Sequence, residues 1–434
     1  MNLPAVSAIR PSYAARSLAP AELRERQQLR RVGITWGLLV LNASTFYSGI
    51  SGLPIPGVVG KAVTQGVLPL ALVLALSVNR KLIVRPNIFL CLVGLLVLDT
   101  VLTIAQPQPL GTIYRTVRFI EFFAVLWLLT PWWGRRDLFL LRCHLRAYDV
   151  LLWSTVIGLF IFPGKAIGSG RLVGAIWPIP APQVAHYSAM VTGLVVVLWL
   201  GGVLPGRNAL RIAVPTLVIL ILTHTRTALL AMIVAAVIAG LSLITAKPRV
   251  RKFFATVGAV VGVTLLTASS YLVTWLARGE GTSELENLTG RTKVWGPLLS
   301  FPRDKFQEIF GFGLSNSSFN GLPIDSNWLS SYQEQGLWGA VTCGVILFFL
   351  LVTAYFQPRG VQRALALFLI VYCLIASFTE DGFTDATTYL LELTLAASLF
   401  VPSLLGNRSA RGHGPGSSSL MLELDAVPSP GGTR

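Results

Sequence analysis

Acidic residues are scarce in this chain. There are 19 Asp and Glu against 35 Lys and Arg in 434 residues, and no acid at all stands between Asp149 and Glu280. Charge of either sign makes up 12% of the sequence, where a soluble domain carries about 25%. That shortage excludes a soluble enzyme and a solvated disordered chain. Cysteine is also sparse. Cys91, Cys143, Cys343 and Cys373 form no CxxC pair, so neither a zinc site nor a disulfide framework is expected. The four histidines are dispersed. His144 is expected on the cytoplasmic side, His413 in the tail, and His186 and His224 at the membrane edge, with no metal site among them. There is no GxxxxGK[ST] and no strand-associated GxGxxG, so no nucleotide or other cofactor is expected.

What the chain has is apolar sequence. Hydrophobic residues make up 53% and the mean hydropathy is +0.66. Apolar runs long enough to span a bilayer recur from end to end. The runs are continuous rather than alternating, which argues against an outer-membrane barrel. The expected fold class is therefore an all-α polytopic membrane protein with about 12 transmembrane helices. The spans are placed at 32–48, 60–78, 87–105, 112–131, 147–163, 183–201, 211–224, 226–245, 253–276, 333–356, 362–379 and 386–404. One long external loop, about 277–332, lies between spans nine and ten.

Charge tests this layout. With the N-terminal tail inside, alternate connections hold Arg80, Lys81 and Arg85; Arg135, Arg136, Arg142 and Arg146; Arg207 and Arg211; Lys247 to Lys252; and Arg359 and Arg363. A cytoplasmic excess of Lys and Arg is what orients such proteins. Residues 1–31 read as a basic cytoplasmic tail leading into a signal-anchor helix. The core domain is 32–404. The Gly-, Ser- and Pro-rich 405–434 reads as a disordered cytoplasmic tail. The expected location is a bacterial cytoplasmic membrane, multi-pass, with both termini inside. The basic excess is thus assigned to orientation and not to nucleic acid.

The informative cations oppose the orientation rule, because a cation outside or within the membrane needs a partner. Arg226 opens span eight with no acid near it in sequence. It either meets an anionic ligand or snorkels to the interface. Arg171 lies in the Gly- and Pro-rich loop GSGRLVGAIWPIPAPQ, as a ligand group or a solvated side chain. Arg115 and Arg118 are one helical turn apart, with Glu121 a turn further on. They serve either a ligand or an internal ion network. Arg291 opens a helix in the long loop. On the acidic side stand Asp325, Glu334, Glu380, Asp381 and Asp385. Glu334 begins span ten, where a carboxylate suits the helix dipole, and Glu380 and Asp381 can face water. Guanidinium forks suit phosphate and diphosphate oxygens, and a carboxylate can take a proton from a hydroxyl. Together they suit transfer from a lipid-linked diphosphate to an alcohol, with the arginines stabilising the departing charge.

Three elements resemble the bacterial O-antigen ligase and O-antigen polymerase superfamily of polytopic glycosyltransferases. The first is Arg171-Leu-Val-Gly174 followed by Pro182-Gln183. The second is Thr223-His-Thr-Arg226-Thr-Ala228, opening a span. The third runs from Arg291 and Trp295 through Gly311-Phe-Gly313 to Asp325-Ser-Asn-Trp-Leu329 and Glu334-Gln-Gly336. They cover about 170 to 340. The resemblance implies an undecaprenyl-diphosphate-linked oligosaccharide donor, a glycan or lipid-linked acceptor, and metal-independent inverting transfer on the outer face of the membrane. Glycan-export machinery is a further candidate partner. By the same resemblance Arg226 and Arg291 hold the diphosphate and Asp325 is the base. Arg171, Arg115, Arg118 and Glu334 are the candidate substrate-binding residues. Where the ligases have a His and an Asn, this chain has Asp325 and Ser326. That departure favours a polymerase or related surface-glycan transferase over a ligase using a lipid A core. The alternatives are a ligase for another acceptor, a lipid-linked glycan transporter or flippase, and a non-catalytic scaffold. Asp99 and Glu392, at membrane depth, are the residues that would speak for a transporter.

Overall fold

The computed structural model describes residues 20–104, 109–135, 137–167, 170–244, 248–256, 292–315 and 317–401. Over these the chain is all-α apart from one antiparallel two-stranded hairpin, Ser318–Phe319 with Leu322–Pro323. The first nine helices are α1 (Pro20–Ala43), α2 (Gly57–Val78), α3 (Ile88–Thr103), α4 (Leu110–Leu128), α5 (Phe139–Ile161), α6 (Pro163–Ala166), α7 (Ala181–Leu200), α8 (Gly206–Leu222) and α9 (Arg226–Leu241). In the long loop lie α10 (Thr292–Ser300) and α11 (Lys305–Phe310). After it come α12 (Asn327–Phe356), α13 (Val361–Ala376) and α14 (Thr388–Phe400).

Helix is the form in which an apolar run satisfies its own backbone without water. The starts carry their signals. Pro56, Pro109, Pro180 and Pro205 stand at the N-caps of α2, α4, α7 and α8, where a missing N–H costs nothing. Asn87 caps α3, and Asp304 with Gln307 forms a capping box on α11. Among the described residues α2, α5, α7 and α12 are long and apolar enough to cross a membrane, and α3, α9, α13 and α14 are shorter apolar helices. Each expected span contains one helix, except 253–276, which beyond residue 256 lies outside the described residues. Several starts are earlier than expected, the largest shifts being α1 at Pro20 instead of 32, α5 at Phe139 instead of 147 and α12 at Asn327 instead of 333. Polar residues near the starts of these helices hide them from hydropathy.

The centre of the bundle is α7, which packs against α5, α8, α9 and α13. Its Gly193 lies against the Phe368 ring of α13, where any side chain would collide. This interior is not purely apolar. Glu392 of α14 is fully buried, accepts from Tyr148 Oη at 2.6 Å and faces His186 Nε2 at 2.7 Å. His144 is also fully buried in α5 and accepts from the Trp36 indole at 3.3 Å. His144 is therefore a bundle residue and not a cytoplasmic loop residue, because α5 starts eight residues before it would need to. A second fully buried carboxylate within the bundle, Asp99 of α3, has no hydrogen-bond partner on either oxygen among the described residues.

Candidate functional site

A cavity of about 620 Å³ opens where the α1–α2 connection, the start of α4, the start of α7 and the segment 380–389 meet. Its wall is built by residues far apart in sequence. Arg115 and Arg118 project from the second and third turns of α4. Both turn toward Asp385: Arg115 Nη1 stands 3.4 Å and Arg118 Nη1 3.9 Å from Asp385 Oδ2. Arg118 Nη2 also donates to the Ala386 carbonyl at 2.6 Å. The partner of this pair is thus Asp385 and not the nearby Glu121. All three side chains keep some solvent exposure, 27%, 17% and 14%, so they can still meet a ligand. Lys61 of α2 adds a third cation, and Glu380 and Asp381 add two more carboxyls. Glu380 and Asp381 do not simply face water.

The acidic segment owes its shape to the region after the long loop. Asn327 Oδ1 accepts from the backbone of Gly382 at 3.3 Å and Phe383 at 2.8 Å. The Asn327 N–H donates to the Ser377 carbonyl at 2.9 Å, and the Trp328 indole donates to Ser377 Oγ at 3.1 Å. Burial pushes the Asp381 carboxyl above the ordinary aspartate value. A hydrogen bond from Ser317 opposes that shift, while the charges of Asp325 and Asp385 add to it. Asp325 does not line the cavity. It sits behind Asp381 with φ 44°, in the left-handed region.

Glu334 is also behind the wall. It lies inside α12, just before a break at Gly336 (φ 61°, ψ −158°), and not at a helix start. The dipole reading therefore does not apply. Its Oε1 accepts from Ser315 N at 2.9 Å, Ser315 Oγ at 2.8 Å and Ser317 N at 3.0 Å. Ser317 in turn bonds Asp381 and lines the cavity. Glu334 thus holds the loop that presents the wall. The break frees the carbonyls of Gln333 and Glu334, which accept from Phe312 N at 3.1 Å and Gly313 N at 2.9 Å. Gly311 is pressed against the backbone of Glu334 and Gln335, and Gly336 against that of Ile309 and Phe310, with no room for a Cβ on either. Trp295 completes this unit by donating its indole to the Ile324 carbonyl at 2.9 Å.

The other two motifs also meet. Arg171 Nε donates to the Thr223 carbonyl at 3.0 Å and Nη2 to Thr225 Oγ1 at 2.9 Å. It thereby holds the turn that delivers Arg226 to the first position of α9. Burial lowers the Arg171 pKa and the nearby Glu380 raises it, which places this cationic corner beside the acidic wall. Gln183 lines the cavity and clasps the α1–α2 connection. It accepts from Thr45 N at 2.9 Å and donates to the Ala43 carbonyl at 3.3 Å. Arg291 lies outside the described residues.

Asp381 and Asp385 stand among the acids that the sequence singles out, but sequence reasoning assigns neither of them, nor Lys61, to the site. The available signal was the run TEDGFTD, three acids within a chain that has few. Among the described residues no group of three His, Cys, Asp or Glu is arranged to hold a metal. Chemically, the arrangement offers guanidiniums for an anion and carboxyls for a proton in one partly enclosed space. No protein-family model matches the chain, and no curated protein matches it either.

Proposed function

We propose that this protein is a membrane glycosyltransferase of the O-antigen polymerase and ligase kind. It would transfer or polymerise undecaprenyl-diphosphate-linked glycan repeats on the outer face of a bacterial cytoplasmic membrane. The proposed topology is twelve spans with both termini in the cytoplasm. The observation that carries the reading is the convergence of Arg115 and Arg118 with Glu380, Asp381 and Asp385 on one cavity. Of the segments that resemble the family, Pro182, Gln183 and Ser317 line the same cavity. The acceptor hydroxyl oxygen attacks the anomeric carbon of the donor. The bond from that carbon to the diphosphate oxygen breaks, and configuration inverts in a single displacement. Arg115 and Arg118, together with Arg171, Arg226 and the loop's Arg291, hold the departing diphosphate. The hydroxyl proton goes to Asp381, whose carboxyl is pushed up by burial and by the charge of Asp325. A raised carboxyl pKa makes a better base than an ordinary aspartate near neutral pH.

The test is to delete the gene and complement it with wild type, Arg118→Ala or Arg226→Ala, sizing surface glycan and lipid-linked intermediates together. A polymerase variant accumulates single lipid-linked repeats and lacks long chains. A ligase variant keeps long lipid-linked chains that are never attached. Variants that restore both pools would overturn the assignment. The transporter reading has one observation in its favour, the buried carboxylates Asp99 and Glu392 within the bundle. It predicts that lipid-linked repeats stay on the inner leaflet when Asp99→Asn is the only change.

A further inference from the structure

The helices α1, α2 and α4 frame a second cavity at their opposite ends. It has a volume of about 480 Å³. Arg24, Gln27, Gln28 and Arg31 of α1 line one side, at the i, i+3, i+4, i+7 spacing that puts four residues on one helix face. Arg80 and Lys81, just after α2, line the other side, and Trp132 after α4 closes the base. Four cations from two elements therefore face one space, and among the described residues no acidic side chain lines it.

The cavity is held in shape without a ligand. Asn79, buried at 4% exposure in its wall, donates to the Ile83 carbonyl at 2.7 Å and the Leu128 carbonyl at 3.0 Å, and accepts from Ile83 N at 2.9 Å. Arg85 N donates to Thr130 Oγ1 at 3.0 Å. The turn that presents Arg80 and Lys81 is thus tied to the end of α4, and Leu82 within it sits at φ 47°. The nearby acids are engaged elsewhere: Glu25 pairs with Arg135, and Asp137 with Arg135 and Arg142. The four cations are solvent-exposed, so water and salt screen their repulsion, and an anion in the space they share would gain from all four.

We propose that this cavity binds the phosphate-bearing headgroup of an anionic membrane lipid. The chemistry is set by four guanidinium or ammonium groups, which suit phosphate oxygens. Two features of the site favour a lipid over a free anion. The cavity lies at the boundary where the apolar part of α1 begins, after Arg31. Trp132 supplies an indole of the kind that settles at the headgroup level. Basic pockets between membrane helices take such headgroups in the same way.

The test uses the full-length protein in a neutral detergent. Thermal unfolding is followed with phosphatidylglycerol, phosphatidylcholine or inorganic phosphate added. Wild type is expected to be stabilised by phosphatidylglycerol alone. The quadruple variant Arg24→Gln, Arg31→Gln, Arg80→Gln, Lys81→Gln should need about tenfold more of that lipid, or more, for the same shift. Should that variant fail to fold, Arg80→Gln with Lys81→Gln replaces it. Arg207→Gln with Arg211→Gln, charges outside the cavity, should respond as wild type. Equal stabilisation by inorganic phosphate would show a phosphate site and overturn the lipid assignment. An unchanged phosphatidylglycerol response in the cavity variants would overturn the site itself.

Discussion

The same three helices carry opposite electrostatics at their two ends. At one end, Arg115 and Arg118 are answered by Asp385, with Glu380 and Asp381 beside them. At the other, Arg24, Arg31, Arg80 and Lys81 line a cavity with no acid among the described residues. The two are separated by the length of α2, 22 residues, or about 33 Å. The contrast separates holding from reacting. Cations alone can retain an anion. Chemistry on a hydroxyl also needs a group that takes a proton, and a carboxyl within a cationic wall supplies one.

The sharpest way to break the comparison is to remove the proton acceptor and keep the cations. Asp381→Asn should lower glycan transfer by roughly 10²- to 10⁴-fold, while binding of lipid-linked donor, measured by direct titration, survives. Unaltered turnover would move the base elsewhere. The reverse change comes next. Arg118→Ala should cost roughly 10²-fold or more in transfer and should weaken donor binding as well, so the two substitutions are separable by binding. Shape is the third lever. Asn327→Ala removes the acceptor for Gly382 and Phe383 N–H groups and should cost about 1–3 kcal/mol in unfolding free energy. Chemical denaturation would measure it. The pH profile gives a smaller effect. Asp325 helps to push the Asp381 carboxyl up, so activity should fall on acidification through that raised value. Asp325→Asn should move this acidic limb to lower pH. A limb that stays put would separate Asp325 from Asp381. The smallest expected effect lies at the opposite cavity, where Arg80→Gln with Lys81→Gln should leave transfer within about twofold of wild type, since surface charge changes are usually nearly neutral.

Much of the architecture was legible because an apolar run in a bilayer has few alternatives to helix. The runs around α2, α7 and α13 marked their helices closely. The start of α12 was hidden by polar residues, because Asn327 and Glu334 carry structural hydrogen bonds that composition does not reveal. Arg115 and Arg118 were legible as cations in the wrong place. Their partner was not, since Asp385 lies 270 residues further along the chain. The grouping of His144, His186 and Glu392 was equally invisible, because it depends on which faces of α5, α7 and α14 meet.

The break at Gly336 also has a meaning for how the molecule is made. Residues 337–356 are long enough and apolar enough to settle in a bilayer as soon as they emerge. The short turn of helix before them carries Glu334, whose acceptors are filled only by a folded 311–317 segment. Crossing the bilayer and completing the cavity wall thus make separate demands on the chain. The first rests on hydrophobicity. The second rests on two close backbone approaches, at Gly311 and at Gly336, so a side chain added at either is expected to disturb the wall while the apolar helix keeps its capacity to insert.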